Sequence, residues 1–121
     1  MAIIEIYGNH ICPYCKDAKD LLRDKGYAFT EYNTRVGNNF QIMKRRTGGK
    51  NTIPQIFLYE EETDKSVYIG GFSELERLDK SGKLVPLLQN MRIHPRPRQR
   101  PGQTQQQRRT LAALQELFDL V

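Results

Sequence analysis

The chain has 121 residues, of which 38% are hydrophobic, and a formal net charge of +5. This length suits one compact domain rather than two, and the sequence contains no apolar run of the roughly 20 residues that a membrane helix needs. The N-terminal residues lack the basic region, apolar core and cleavage site of a secretory signal. We therefore expect a cytoplasmic protein without a membrane partner.

The positive charge is unevenly distributed along the chain. Residues 1–90 hold 13 basic against 12 acidic residues, whereas residues 91–121 hold six arginines against two acidic residues. The basic character therefore belongs to the C-terminal segment, and the segment lacks the interleaved aromatic residues on which bases stack. This composition argues against a nucleic-acid partner for the protein.

The N-terminal half is predicted to alternate strands and helices. Residues 3–7 are mostly apolar and rich in residues that favour strands, as in a central strand. Pro13 fits the first position of a helix over residues 13–25, which ends near Gly26. A half-buried strand over 28–32 and a short helix over 39–46 follow.

The second half of the predicted domain begins with a hairpin, whose strands cover residues 55–59 and 66–69. Ser73 and Glu76 have the spacing of a capping box and predict one closing helix. The apolar residues from Leu84 to Leu88 extend the buried face of that helix. The order β-α-β-α-β-β-α predicts the α/β class, with a four-stranded mixed sheet flanked by helices on both faces.

The C-terminal segment is different in kind. Residues 91–109 are rich in arginine, proline and glutamine and predict an extended, solvated linker. Residues 110–121 have an apolar stripe at helical spacing and predict a C-terminal amphipathic helix. The division is thus a domain over 1–90, a linker over 91–109 and a helix over 110–121. We expect a monomer, unless that helix mediates dimerisation.

The chain has two cysteines, Cys12 and Cys15, in the sequence Cys12-Pro13-Tyr14-Cys15. A thiol attacks a disulfide as the thiolate, and a helix N-terminus stabilises negative charge. Cys12 precedes the predicted helix, so it is the candidate nucleophile. Cys15 lies within the first turn and is positioned to resolve a mixed disulfide at Cys12. A structural zinc site completed by His10 and His94 is the alternative, although ligand spacing does not favour it, and we expect no metal.

Three segments, in this order, resemble the signature segments of dithiol glutaredoxins of the Cys-Pro-Tyr-Cys type, which belong to the thioredoxin superfamily. They are residues 12–15, the Thr52-Ile53-Pro54 segment that precedes a strand, and residues 70–75, which begin with a double glycine. The resemblance covers about residues 2–90. It implies the thioredoxin fold, a cis peptide bond before Pro54 and glutathione as co-substrate.

The resemblance also implies a glutathione-binding groove. The tyrosine between the cysteines and the backbone of Ile53 would flank the cysteinyl part, and Ser73 with Glu74 would hold the γ-glutamyl end at a helix N-terminus. Carried over position by position, the implied groove residues are Tyr14, Gln41, Thr52, Ile53, Pro54, Gly71, Phe72, Ser73 and Glu74.

Two positions depart from the family pattern. Asn9 stands where glutaredoxins commonly have a lysine that pairs with the glycine carboxylate of glutathione, and Glu74 stands where aspartate is usual. Loss of an exposed charge pair weakens binding by about 0–1 kcal/mol. His10, Lys44 and Lys50 are the candidates to replace the missing cation.

The predicted function is glutathione-dependent reduction of protein disulfides and glutathione mixed disulfides. The expected partners are glutathione and disulfide-containing proteins, among which ribonucleotide reductase is a customary client of the family. Two alternatives remain at this stage. One is a thioredoxin-like reductase served by a flavoenzyme, and the other is an iron–sulfur cluster carrier in which Cys12 and glutathione ligate the cluster.

Overall fold

The structure, a computed structural model, describes residues 1–96. In chain order its elements are β1 (Ala2–Gly8), α1 (Pro13–Asp24), β2 (Thr30–Asn33), α2 (Asn39–Thr47), β3 (Gln55–Glu60), β4 (Lys65–Gly70), α3 (Phe72–Lys80) and α4 (Leu84–Asn90). No helix among these residues is long and apolar enough to cross a membrane.

The four strands form one mixed sheet in the order β2-β1-β3-β4. Strand β1 is parallel to β2 and antiparallel to β3, and β3 is antiparallel to β4. At the centre, Ile6 of β1 is paired with Glu31 on one side and with Ile56 on the other. The predicted four-stranded mixed sheet flanked by helices is therefore confirmed.

Helices cover both faces of the sheet. Because successive side chains of a strand point to opposite faces, Ile4 and Ile6 pack on one face and Tyr7 packs on the other. The larger core lies beneath α1, α3 and α4, and its buried members are Ile4, Ile6, Ala18, Leu22, Tyr27, Ile56, Leu58, Leu75, Leu84, Leu88, Met91 and Ile93. The smaller core lies beneath α2 and contains Tyr7, Met43 and Phe57.

The smaller core contains a buried charge that the sequence did not indicate. Glu5 is only 7% exposed, and one of its oxygens accepts a hydrogen bond from Arg46 at 2.9 Å while the other accepts one from the Tyr32 hydroxyl at 3.0 Å. The Arg46 guanidinium also donates to the Tyr7 hydroxyl at 3.0 Å and lies 3.9 Å from the centre of the Phe57 ring. These contacts hold α2 against strand β1.

The prediction of a single closing helix is wrong. The chain forms α3 and α4 instead, and Gly82 lies between them with a φ of 75°. A left-handed conformation ends a helix and favours glycine. The apolar residues that were predicted to lie on one helix belong to two helices. Leu75 of α3 and Leu84 of α4 are both buried in the larger core.

The predicted capping box is wrong by two residues. The N-cap of α3 is Gly71, and the Glu74 carboxylate reaches back to accept the Gly71 N–H at 2.8 Å. Ser73 therefore lies inside the helix. The Glu74 side chain packs against Gly70, where a Cβ would lie 2.9 Å from it. The absence of a side chain at Gly70 therefore leaves room for the Glu74 carboxylate to reach the Gly71 N–H.

The start of the predicted linker packs against the domain. Met91 and Ile93 are buried in the larger core, and the Arg96 N–H donates to the Gly26 carbonyl at 2.8 Å. The burial of the Met91 and Ile93 side chains holds the first residues of the predicted linker against the domain, although the segment is rich in arginine. The rest of the linker and the predicted helix over 110–121 lie outside the described residues, so the division of the chain there stays a prediction.

Replacing Arg46 by alanine is expected to lower the free energy of unfolding by about 2–4 kcal/mol, because it leaves the Glu5 carboxylate buried without its cation. Chemical denaturation measures this change. The matched control is Lys16→Ala, which removes an exposed ion pair with Asp20 and is expected to change stability little.

Adding Glu5→Gln to Arg46→Ala is expected to recover part of the loss, because the two residues interact directly. Equal destabilisation by Arg46→Ala and Lys16→Ala would show that the buried pair does not hold α2 to the sheet.

Candidate active site

Cys12 is the N-cap residue of α1. Its backbone is extended, with φ −85° and ψ 119°, and Pro13 occupies the first helical turn, as predicted. The Cys12 sulfur accepts a hydrogen bond from the Cys15 N–H at 3.2 Å. The bond fixes the Cys12 sulfur at the N-terminus of α1, the end of a helix that carries a partial positive charge.

Cys15 is in a different environment, although it is only three residues away. Its side chain is fully buried, whereas Cys12 is partly exposed, and both thiols are free. Burial raises the pKa of the Cys15 thiol to about 12, and a hydrogen bond with Cys12 adds to the shift. Cys12 is therefore the thiol that a substrate can reach.

Gly8, the last residue of β1, provides the space for the Cys15 thiol. A Cβ built at Gly8 would lie 2.6 Å from the Cys15 sulfur. The end of the central strand thus forms the floor of the cysteine pair, and the absence of a side chain there permits the close approach.

The loop before β3 faces Cys12 from across the site. The Ile53–Pro54 peptide bond is cis, as the family resemblance implied. The Ile53 carbonyl oxygen lies 3.9 Å from the Cys12 sulfur. The Thr52–Pro54 segment and the cysteine motif, which are 40 residues apart in sequence, therefore form one site.

A groove of about 280 Å³ runs along this site. It brings together eight of the nine residues that the resemblance implied, namely Tyr14, Thr52, Ile53, Pro54, Gly71, Phe72, Ser73 and Glu74. The Tyr14 and Phe72 rings are stacked at one wall, with their centroids 6.1 Å apart. Tyr14 is 62% exposed, so this wall is open to a ligand.

Gln41 is the predicted residue that does not line the groove. It is exposed on α2 and lines a separate depression with Lys44, Arg45, Gly48 and Gly49. The spacing of Gln41 from Thr52 placed it in the family pattern, but the orientation of α2 directs it to this neighbouring surface.

Two groove residues, Gln55 and Tyr68, were not predicted from the sequence as binding residues, whereas Lys50, a candidate for the missing cation, does line the groove. The Gln55 side chain donates to both the carbonyl and the hydroxyl of Thr52, at 2.9 and 3.1 Å, and it accepts a hydrogen bond from the Tyr68 hydroxyl. Gln55 follows Pro54 directly in the sequence, and this adjacency could have predicted it as a groove residue. Tyr68 is brought in by its register opposite Phe57, which the sequence does not reveal.

The lining of the groove contains charges of both signs. Lys50 lies in the groove lining, whereas the two other candidates for the missing cation, His10 and Lys44, do not. Asn9 instead holds its own loop, because its side-chain oxygen accepts the Ile11 N–H at 3.0 Å. The acidic residue of the lining is Glu74, which caps α3. The groove therefore combines one cation with one carboxylate.

The zinc alternative receives no geometric support from the described residues. His10 and His94 are both exposed, and within residues 1–96 no three His, Cys, Asp or Glu side chains are grouped so that they could hold a metal ion.

Comparison with known proteins identifies the family. The glutaredoxin family model matches residues 4–62. Glutaredoxin 3 of Escherichia coli strain K12 is 40% identical over 90 residues, which cover 73% of this chain and 99% of that protein. A probable glutaredoxin of Synechocystis is 41% identical over 88 residues, which cover 72% of this chain and 93% of that protein.

Solved structures agree with this result. The solution structure of glutaredoxin from Brucella melitensis matches with a TM-score of 0.58 and 38% identity, over 73% of this chain and 89% of that one. A buckwheat glutaredoxin matches in fold, with a TM-score of 0.61 and 20% identity over 76% of this chain and 81% of that one. The chain therefore belongs to the glutaredoxin family, has the thioredoxin fold and is a disulfide oxidoreductase.

Proposed function

We propose that the protein reduces protein disulfides and glutathione mixed disulfides with glutathione as co-substrate, and that Cys12 is the nucleophile. The observation that carries this proposal is the placement of the two thiols. Cys12 is partly exposed, caps α1 and lies 3.9 Å from the carbonyl of the groove residue Ile53, whereas Cys15 is buried. One thiol can meet a substrate and the other can meet only Cys12.

In the first step the Cys12 thiolate attacks one sulfur of the substrate disulfide. A Cys12–substrate disulfide forms, and the other substrate sulfur leaves as a thiolate and takes up a proton. In the free enzyme the Cys15 N–H donates a hydrogen bond to the Cys12 sulfur. The same hydrogen bond stabilises the attacking thiolate.

Two routes complete the reaction. In the dithiol route Cys15 attacks the Cys12 sulfur, releases the reduced protein and leaves a Cys12–Cys15 disulfide, which two glutathione molecules then reduce. In the monothiol route Cys12 carries glutathione alone, and a second glutathione attacks that mixed disulfide and regenerates the Cys12 thiolate. The monothiol route does not require Cys15.

The charges of the groove suit glutathione, which carries carboxylates at both ends and an ammonium group at one. In this proposal Lys50 pairs with the glycine carboxylate and takes the place of the family lysine that is Asn9 here. The backbone N–H groups of the first turn of α3, at Ser73 and Glu74, receive the γ-glutamyl carboxylate. The buckwheat protein of the same fold was solved as a glutaredoxin–glutathione complex, which supports the assignment.

The proposed clients are disulfide-containing proteins of a cytoplasmic compartment, and ribonucleotide reductase is a candidate because it is a customary client of the family. The family assignment favours neither of the two alternatives. A thioredoxin-like reductase would accept electrons from thioredoxin reductase without glutathione, and a cluster carrier would be coloured when purified. Both properties are directly measurable.

The roles of the two thiols predict different effects of Cys12→Ser and Cys15→Ser. The measurement is reduction of the cysteine–glutathione mixed disulfide, coupled to glutathione reductase and NADPH, beside reduction of insulin disulfides. Cys12→Ser is expected to abolish both activities. Cys15→Ser is expected to abolish insulin reduction and to retain turnover of the mixed disulfide.

Equal loss of both activities in the two variants would contradict the assigned roles. If the wild type has no turnover in the coupled assay but is reduced by thioredoxin reductase, the glutathione dependence is wrong, although the disulfide chemistry stands.

A second prediction concerns the cation of the groove. Lys50→Ala is expected to raise the KM for glutathione about two- to fivefold with little change in kcat, because it removes an exposed charge pair with a carboxylate. Lys44→Ala is the matched control, since Lys44 lies on the neighbouring depression and outside the groove.

Equal KM values for Lys50→Ala and the wild type, or a larger effect of Lys44→Ala, would remove Lys50 from the glutathione site. The second result would place the carboxylate on the surface that Gln41 shares with Lys44.

A further inference from the structure

A second, largely buried ion pair joins α1 to β2. Lys19 is four residues after Cys15 on α1, and its side chain is 11% exposed. Its ammonium group donates to the Glu31 carboxylate of β2 at 2.8 Å. Residues four apart on a helix lie on the same face, one turn from each other, so the lysine and the buried thiol share the face that packs on the sheet.

Burial of a lysine requires an explanation. A lysine is rarely buried unless its charge is paired, and a buried ion pair contributes little net stability because desolvation offsets the attraction. On the same helix, the Lys16–Asp20 pair remains in solvent, with Lys16 72% exposed. The position of Lys19 therefore places a cation one helical turn after Cys15 on the buried face of α1 without a clear gain in stability.

The surroundings of Cys15 offer few groups that favour its ionised form. Burial and the Cys12 thiol both disfavour the Cys15 thiolate, whereas the Asn9 backbone N–H and the Lys19 ammonium favour it. Gly8 packs against the sulfur and contributes no charge. Glu31 reaches this environment only through its bond to Lys19. Among these groups, Lys19 is the one with a full positive charge.

We propose that Lys19, held in place by Glu31, is a positioning residue for the second thiol–disulfide exchange, in which its ammonium group stabilises the developing Cys15 thiolate. This inference rests on the proposed function, because it concerns the step that distinguishes the dithiol from the monothiol route. It adds a role for a residue outside the cysteine motif and outside the groove.

The step is balanced without a further reagent. Cys15 attacks the Cys12 sulfur, the Cys12–Cys15 bond forms, and the bond between Cys12 and the client sulfur breaks. The electron pair of the broken bond leaves with the client, which is reduced to a thiol, and the two enzyme thiols are oxidised to a disulfide. The proton that Cys15 loses is balanced by the proton that the client thiolate gains. The Lys19 ammonium stabilises charge and transfers no proton.

Glu31 explains why the cation is fixed in place. A lysine side chain has several rotatable bonds and prefers to extend into solvent. The 2.8 Å bond to β2 keeps the ammonium largely out of solvent, on the buried face of α1 that also carries Cys15. The carboxylate reduces the field that Lys19 exerts on the thiol, so the expected effect is moderate.

The test compares Lys19→Gln with Lys16→Gln, a matched change on the exposed side of α1, and with Lys19→Arg, which keeps the charge. Each variant is assayed for insulin reduction, which needs Cys15, and for turnover of the cysteine–glutathione mixed disulfide, which does not. The ratio of the two activities is measured across a range of pH. Turnover of the mixed disulfide also reports that the variant is folded.

For Lys19→Gln the ratio of insulin to mixed-disulfide activity is expected to fall about three- to tenfold, the effect of losing one partly screened charge a helical turn away. Its insulin profile is expected to move to higher pH, because the Cys15 thiolate is harder to form. Lys19→Arg is expected to restore most of the ratio, and Lys16→Gln to leave it unchanged.

An unchanged ratio and pH profile in Lys19→Gln, or the same loss in Lys16→Gln, would overturn the inference while the proposed function stands. The same fall in Lys19→Arg as in Lys19→Gln would also overturn it, because the loss would then follow from packing. Absence of glutathione-dependent turnover in the wild type is a different outcome, which refutes the proposed function itself.

Discussion

The hydrogen bond from the Cys15 N–H to the Cys12 sulfur, at 3.2 Å, is the interaction on which the whole site depends. It exists because Cys12 is the N-cap residue of α1, and α1 keeps its position because Ala18 and Leu22 are packed in the core beneath the sheet. The folding of the domain therefore prepares the nucleophile. The fixed position of the Cys12 sulfur and the packed core are two results of the same arrangement of α1.

The same geometry makes the two cysteines unequal. The Cys12 sulfur lies 3.9 Å from the Ile53 carbonyl oxygen, whereas Cys15 lies against the end of β1 at Gly8. Burial protects the second thiol from direct reaction but raises the pKa of that thiol. Attack by Cys15 requires its thiolate form. In our proposal the fixed ammonium group of Lys19, one helical turn away, stabilises that form.

Much of this arrangement could be predicted from the sequence, since the periodicity of apolar residues gave the sheet and most helices, and three short motifs gave eight groove residues. The remainder depends on tertiary packing. Gln41 and Lys50 are both polar, and only the orientation of α2 and the loop after it decides which one enters the groove. The N-cap of α3 is Gly71 and not the predicted Ser73, because the absence of a side chain at Gly70 leaves room for the Glu74 side chain. The spacing of residues in the sequence does not reveal this steric effect.

The central claim, that one thiol is reactive and the other is shielded, is tested most directly by alkylation of the reduced protein with limiting iodoacetamide near neutral pH. Peptide mass spectrometry then locates the label. The account predicts that Cys12 is labelled first and that Cys15 becomes labelled only after denaturation, because thiolates react and Cys15 is both buried and protonated. Labelling of Cys15 in the folded protein at a rate equal to that of Cys12, or faster, would contradict it.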